Sequence, residues 1–147
     1  MIVSVDQTNI MQAAAVHAAS WRESHRSFCS PDFVALHTAE RQRRYIEEKI
    51  KNGSRFFLLL ANEPVGVVSV IGNLIEDLYV LPNKQNKGYG TELLRYAVGE
   101  CEGVPSLWIL ENNKGAERLY RRMGFRETGR RHAVAKGFDE IEFSLNK

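Results

Sequence analysis

The sequence has few cysteines and no long apolar run. Two cysteines, Cys29 and Cys101, in 147 residues do not make a disulfide framework. The first ten residues lack the basic and apolar regions of a secretory signal, so we expect a reduced, cytoplasmic protein. The longest apolar run, residues 56–61, is far shorter than the roughly 20 residues that span a bilayer. No membrane partner is therefore expected.

The chain also has almost no net charge. Its 20 Lys and Arg residues against 18 Asp and Glu residues leave a formal net charge of +2, too little to attract a polyanion over the whole surface. Nucleic acid is therefore not expected as a partner. A hydrophobic share of 44% with 26% charged residues is typical of a globular protein, and we interpret residues 1–147 as a single domain.

Hydrophobic periodicity predicts an α/β fold, with elements in the order β-α-α-β-β-β-α-β-α-β-β. The first helix is expected to start near Ile10 with Asp6 or Thr8 as its cap, and the second to follow Thr38 and end near Gly53. Three neighbouring strands with short connections predict an antiparallel meander. The predicted strands cover residues 1–5, 55–61, 65–71, 74–81, 106–110, 125–131 and 138–145.

Two glycines, Gly88 and Gly90, stand where the fourth predicted strand gives way to a helix. Without a Cβ, they allow backbone amides to surround an anion, and the helix start adds unpaired amides and a positive dipole end. The loop therefore suits a phosphate or pyrophosphate, although a plain strand-to-helix turn has the same composition. A Walker loop is excluded because Lys87 precedes Gly88, and a dinucleotide fingerprint would need glycine where Leu93 stands.

Two separate blocks resemble the GCN5-related N-acetyltransferases (GNAT family). Residues 85–90, QNKGYG, match the family's Q/R-x-x-G-x-G/A signature. Asn113, Ala116, Tyr120 and the pair Gly124-Phe125 reproduce its N-x-x-A-x-x-x-Y…G-F pattern. The blocks lie in the family's order, and the resemblance covers nearly the whole chain. It implies a GNAT-type fold, with a mixed central sheet flanked by helices.

The resemblance implies that acetyl-coenzyme A is the acetyl donor, with no metal required. The main chain at Leu78, Tyr79 and Val80 would pair with the pantetheine arm, and an amide near Val80 would polarise the thioester carbonyl. Asn113 would contact the arm or a water beside it, or serve only as a helix cap. The pyrophosphate would be held by the loop and helix start, namely Gln85, Asn86, Lys87, Gly88, Tyr89, Gly90 and Thr91.

The resemblance also implies that Tyr120 protonates the departing thiolate. A tyrosine stays protonated at neutral pH and can donate as the thiolate forms, although on its apolar helical stripe it could equally be a core residue with a satisfied hydroxyl. For the base that takes the amine proton, Glu76 is slightly favoured over Asp77, Glu111 or water. Period-two alternation predicts that Glu76 shares a face with Leu78 and that Asp77 shares one with Tyr79.

The sequence thus predicts direct acetyl transfer to a primary amine of a small molecule or peptide. A non-catalytic acetyl-coenzyme A sensor or assembly module is the alternative, and Tyr120 favours the enzyme. Homodimerisation is left open. Side chains that could surround the acceptor, or could simply pack, are Trp21, Glu23, His25, Phe28, Asp32, Phe33 and His132.

Overall fold

Seven strands and five helices make up the part of the chain that the structure, a computed structural model, describes: residues 1–135 and 137–145. A short 3-10 turn, Pro82–Lys84, follows β4. In chain order the elements are β1 (Ile2–Ser4), α1 (Ile10–His25), α2 (Pro31–Ala35), α3 (Ala39–Lys51), β2 (Arg55–Leu60), β3 (Pro64–Ile71), β4 (Leu74–Val80), α4 (Tyr89–Glu100), β5 (Ser106–Leu110), α5 (Lys114–Arg122), β6 (Arg126–Ala135) and β7 (Phe138–Ser144).

The strands form one mixed sheet in the order β1-β2-β3-β4-β5-β7-β6. β1 to β4 pair antiparallel with their neighbours, which confirms the predicted meander. β5 joins β4 in parallel and β7 antiparallel. The crossover from β4 to β5 runs through α4, as a parallel connection requires.

Helices cover both faces of the sheet, which explains the apolar run of β2. Phe56 and Leu58 pack with Ile46 of α3 in a cluster on one face, while Phe57 and Leu59 pack with Leu93 of α4 in a cluster on the other. A strand buried on both faces loses polar alternation and becomes continuously apolar. Each of these fully buried side chains stabilises the fold by roughly 1.5–3 kcal/mol.

Polar caps fix most of the helix starts. Thr38 accepts a hydrogen bond from the Arg41 amide at 3.2 Å, and Asn113 accepts one from the Ala116 amide at 3.1 Å. Both positions agree with the sequence prediction. Gly53 and Gly124 lie two residues beyond the ends of α3 and α5 and have φ values of +106° and +99°. Glycine adopts this left-handed conformation without strain, which suits the end of a helix.

The predicted cap of α1 was wrong. The Asp6 carboxylate accepts from the Thr8 amide at 2.8 Å, which closes a turn before the helix, and the N-cap position falls on Asn9. Residues 27–32 have the composition of a turn, but a short helix, α2, begins within them at Pro31. Ser30 accepts from the Phe33 amide at 3.2 Å, and Pro31 occupies the first turn of α2, where a missing N–H costs nothing.

Within the described residues, none of the helices combines the length and the apolar character needed to cross a membrane.

Candidate functional site

A cleft opens where β4 and β5 separate. The two strands pair only at Leu74 with Ser106 and at Ile75 with Leu107, and beyond that point a cavity of about 670 Å³ lies between them. This volume lies within the usual range for ligand sites. Lys87 lies outside the lining. The predicted site residues that line the cleft are Glu76, Leu78, Tyr79, Val80, Gln85, Asn86, Gly88, Tyr89, Gly90, Thr91, Asn113 and Tyr120.

A bulge at Asp77 shapes β4 at the point where it leaves β5. Asp77 has φ +54°, and the pairing with β3 shifts register between Val67 opposite Tyr79 and Ser69 opposite Glu76. Two residues of β4 therefore face one of β3, which bends the strand and interrupts its alternation.

The bulge overturns the predicted face of Glu76. Its carboxylate pairs with Lys49 of α3, whereas Leu78 packs into the cluster on the opposite face of the sheet. Asp77 also faces the α3 side, so two consecutive side chains share one face. The prediction that Asp77 and Tyr79 share a face holds, since the His17 ring contacts Tyr79 and bonds Asp77.

Three side chains hold the Asp77 carboxylate. His17 Nε2 lies 2.9 Å from Oδ1, the Tyr45 hydroxyl donates to Oδ1 at 2.9 Å, and the Ser69 hydroxyl donates to Oδ2 at 2.8 Å. Burial acts to raise the pKa of Asp77, but the bonds from His17 and Ser69 and the charge of Lys49 outweigh it and lower that pKa. These bonds offset the left-handed strain at Asp77, and they leave its carboxylate little capacity to accept another proton.

The other two acids considered as bases differ in position. Glu76 lines the cleft and is held by Lys49 Nζ at 2.6 Å from Oε1. Its side chain is 36% exposed. Glu111 pairs with Arg131 and lies outside the cleft lining. Of the three, Glu76 is thus the carboxylate that both lines the cleft and is accessible to solvent.

The backbone of β4 directs an amide into the cleft. The Leu81 amide donates to the Val65 carbonyl of β3 at 2.9 Å. Since successive residues of a strand point their N–H groups to opposite sides, the Val80 N–H points away from β3, toward β5. The Gln85 side chain donates to the Val80 carbonyl at 3.2 Å, which ties the following loop to the end of the strand.

The loop before α4 has the form of an anion cradle. Gly88 is the N-cap residue with φ +88°, and a Cβ placed on it would meet no atom within 4 Å. Within residues 1–135 and 137–145, the structure records no hydrogen bond from the backbone amides of residues 86–91. Free amides at a helix start bind phosphate groups well.

Basic side chains surround this end of the cleft. Lys84, Arg118 and Arg122 line it, and Lys84 is paired with Glu63 at 2.9 Å. An anionic pyrophosphate would therefore meet free amides and positive charge together, and the residues present fit the phosphate end of coenzyme A.

Tyr120 is buried in the wall of the cleft, 7% exposed. In the described part of the chain its hydroxyl makes no hydrogen bond, and burial alone raises the pKa of the phenol above its usual range. A tyrosine that served only the core would be expected to have a bonded hydroxyl. Asn113 both caps α5 and lines the cleft, so its two predicted roles are compatible.

The aromatic residues predicted around the acceptor do not all reach the cleft. His25 and Phe28 line it, as does Glu23. The Trp21 ring instead stacks between the rings of His25 and His37, with centroids 3.9 Å and 3.5 Å away. Trp21 lines a second cavity of about 190 Å³. Asp32, Phe33 and His132 lie outside the cleft lining.

Ser20, Trp108 and Glu140 are among the lining residues that sequence reasoning missed. Trp108 and Glu140 precede buried Ile109 and Ile141 in their strands. This alternation in the sequence could have indicated that Trp108 and Glu140 point away from the core. Over the described residues, no group of three or more His, Cys, Asp or Glu side chains is arranged to hold a metal ion.

Comparison with known proteins matches residues 15–125 to the Acetyltransferase (GNAT) family. The Peptidyl-lysine N-acetyltransferase YjaB of Salmonella typhimurium is 32% identical over 69 residues, covering 47% of this chain and 47% of that protein. An uncharacterized N-acetyltransferase of Methanocaldococcus jannaschii, MJ1207, is 33% identical over 88 residues, covering 49% of this chain and 39% of that protein. Less than half the length of each curated relative is therefore matched.

Solved structures agree over the whole fold. The PaiA N-acetyltransferase of Thermoplasma acidophilum, solved in complex with coenzyme A, superposes with TM-score 0.74 at 17% identity, covering 100% of this chain and 98% of that one. The smu.2055 protein of Streptococcus mutans superposes with TM-score 0.76 at 18% identity, covering 99% and 98% of the two chains. At such identities the likeness concerns the fold.

Proposed function

The chain belongs to the Acetyltransferase (GNAT) family, and from that premise we propose that it transfers the acetyl group of acetyl-coenzyme A directly to a primary amine. One observation carries the proposal: a single cleft collects a free amide cradle, a strand amide and an unbonded tyrosine hydroxyl. These are the groups that binding a pyrophosphate, stabilising an oxyanion and protonating a thiolate require.

The donor would lie along the cleft with its pyrophosphate on the amides of residues 86–91. Its pantetheine arm would run beside the unpaired edge of β4 at Leu78, Tyr79 and Val80, whose backbone is free of β5 there. Asn113 lies on the facing wall. In this arrangement the thioester would lie near the Val80 N–H and the Tyr120 hydroxyl, whose residues both line the cleft.

Two groups of the chain act on the thioester. As the amine nitrogen attacks, a C–N bond forms and negative charge develops on the thioester oxygen, which the Val80 N–H stabilises by ~3 kcal/mol. The C–S bond then breaks, and the sulfur takes a proton from Tyr120. Burial that keeps Tyr120 protonated also makes a nearby thiolate more basic, since both anions lose hydration.

Glu76 is our candidate for the base that takes the amine proton. It lines the cleft, and Lys49 Nζ donates to its Oε1 at 2.6 Å, which fixes the position of the carboxylate. The competing Asp77 is buried, with His17, Tyr45 and Ser69 already bonded to it. Water remains the alternative carrier of the proton, and the effect of Glu76→Gln on the pH profile distinguishes the two.

The acceptor is a small molecule or a peptide that bears a primary amine. The Salmonella relative is named for a peptidyl-lysine acceptor, so lysine in a peptide belongs in any acceptor screen. The screen measures release of free coenzyme thiol with acetyl-coenzyme A and a panel of amines, and mass spectrometry identifies the N-acetyl product.

The proposal predicts thiol release that depends on one class of amine, with equimolar N-acetylated product. Coenzyme binding without thiol release for any amine would instead support a sensor or assembly module. A variant that binds the coenzyme but lacks Tyr120 serves as the matched negative control.

A further inference from the structure

One buried hydroxyl in the cleft has no partner. Ser20 of α1 lines the cleft, is 4% exposed, and its Oγ makes no hydrogen bond to any residue of the described chain. Leaving a hydroxyl buried and unbonded costs roughly 1–3 kcal/mol. A ligand that entered this end of the cleft would supply the missing partner.

The ionisable side chains that line the cleft are separated by sign. Those at the loop and α5 end are basic, namely Lys84, Arg118 and Arg122. Those at the end formed by α1, β4 and β7 are acidic apart from one histidine. They are Glu23, His25, Glu76, Asp77 and Glu140.

The side chains that pair with these acids lie outside the cleft lining. Arg26 pairs with Glu23 at 2.9 Å, Lys49 pairs with Glu76 at 2.6 Å, and His132 lies 3.0 Å from Glu140 Oε1. Burial lowers the pKa of His25 below its usual value, so its ring is neutral at pH 7. The charged side chains that line the cleft at this end are therefore all carboxylates.

The acidic end is assembled around the ring of Tyr79. The Tyr79 ring packs edge-on against the His17 ring, with centroids 4.9 Å apart. His17 lies one helical turn before Ser20 on α1. Burial, together with the charges of Asp77 and Glu140, raises the pKa of the Tyr79 phenol. Ser20 and Glu140 both line the cleft, and Glu140 lies two residues after Phe138, which the segment after α1 contacts through Phe28.

Apolar rings lie in the same region. Phe28 packs on Phe138 at 4.9 Å, so the segment after α1 reaches across to β7, and Trp108 lines the cleft from β5. Methylene carbons between two polar ends of a ligand would contact these rings. The basic end already suits the anionic donor, so the acidic end is left for the acceptor.

We propose that the acceptor is a primary amine with a second cationic group a few carbons away and no carboxylate near the amine, selected by Glu140 and Ser20. This inference rests on the proposed function, since it concerns the acceptor of the same reaction. Glu140 attracts the second cation, and Ser20 accepts from an ammonium or amine N–H. An acceptor with a carboxylate in that place would face negative charge.

The test uses three acceptors of matched size: butane-1,4-diamine, butylamine and 4-aminobutanoate. We expect kcat/KM for the diamine to exceed that for 4-aminobutanoate by at least about tenfold, with butylamine between them, since tenfold corresponds to about 1.4 kcal/mol. A kcat/KM for 4-aminobutanoate equal to or above that of the diamine would overturn the inference.

Two variants test whether Glu140 and Ser20 select the acceptor. Glu140→Gln should reduce the ratio of diamine to butylamine kcat/KM severalfold, and Ser20→Ala should raise KM for the diamine while leaving the melting temperature unchanged or higher. Glu102→Gln removes an exposed charge outside the cleft and is the matched control. An unchanged ratio in Glu140→Gln would overturn the role of that residue.

Binding separates this inference from the proposed function. Calorimetry of the three amines with protein saturated in coenzyme A should rank them in the same order. Selective binding of the diamine without thiol release would leave the inference standing and refute the enzyme. Turnover of all three amines without a charge preference would support the enzyme and overturn the inference. Absence of diamine binding would also overturn the inference.

Discussion

Replacing Tyr120 with phenylalanine separates a catalytic hydroxyl from a packing residue. The ring is buried in the cleft wall against Phe125, with centroids 6.0 Å apart, and Tyr120→Phe keeps the ring while removing only the oxygen. Among the described residues that oxygen has no hydrogen-bond partner. The two roles therefore predict different results.

The expected loss of activity follows from general acid catalysis. A positioned proton donor contributes roughly 100-fold or more, so kcat should fall by about that factor, or ~2.7 kcal/mol. Affinity for acetyl-coenzyme A should change by less than about threefold, since the strand and loop amides are untouched. Because burial raises the pKa of Tyr120, kcat of the unmodified protein should not decline between pH 7 and about 10 through loss of this acid.

Stability supplies the second readout. The Tyr120 hydroxyl bonds to no described residue, so its removal breaks no hydrogen bond within the protein, and the melting temperature should stay within about 3 °C or rise. Tyr96→Phe, on α4 beside Phe57 and outside the cleft lining, is the matched control and should leave kcat unchanged. Full activity in Tyr120→Phe would refute the role of the acid, and so would a large loss of stability with proportionate loss of activity.

Three further changes test the cradle, the base and the bulge. Gly88→Glu, which adds a side chain and a negative charge at φ +88°, should abolish the thermal shift produced by acetyl-coenzyme A. Glu76→Gln should lower kcat at neutral pH by about tenfold or more and move the pH requirement of the rate upward; an unaltered pH profile would favour water as the proton carrier. Asp77→Asn keeps a residue that tolerates left-handed backbone but removes the charge, and should lower the free energy of unfolding at pH 7 by about 1–3 kcal/mol. Because the pKa of Asp77 is depressed below 3.8 in the fold, its contribution is present above that pH and is lost as pH falls through the folded pKa. Urea denaturation should therefore show a flatter pH dependence in that acid range for the variant.

Each of these changes has a control of the same kind. Gly72→Glu alters another left-handed glycine, in the turn between β3 and β4 with open space around it, and should leave the thermal shift intact. Glu102→Gln and Asp32→Asn remove exposed charges outside the cleft lining. If the controls behave like the cleft variants, the effects arise from general destabilisation, and the assigned roles are wrong.

The fold could be predicted from the sequence because its elements are marked locally. Thr38 and Asn113 cap helices, and the apolar strand at residues 55–60 has no helical period. The cap of α1 was mispredicted because Asp6, Thr8 and Asn9 are all residue types that cap helices. Only the geometry of the preceding turn decides which of them occupies the N-cap position.

The cleft could be predicted only in part. The glycines and Tyr120 stand in readable motifs, but the face of Glu76 depends on a bulge at Asp77 that no local pattern signals. That bulge is stabilised by His17, 60 residues earlier in the chain. Ser20 and Glu140 line one cleft because α1 and β7 both border it, and only the tertiary structure places them there.

The central claim is direct acetyl transfer from the coenzyme to an amine in this cleft. It is tested most directly by the initial rate of thiol release, measured while acetyl-coenzyme A and an accepted amine are both varied. Direct attack predicts release that requires the amine, and double-reciprocal lines that intersect. Parallel lines would indicate an acyl-enzyme intermediate and contradict direct transfer, and release that does not depend on any amine would contradict the claim altogether.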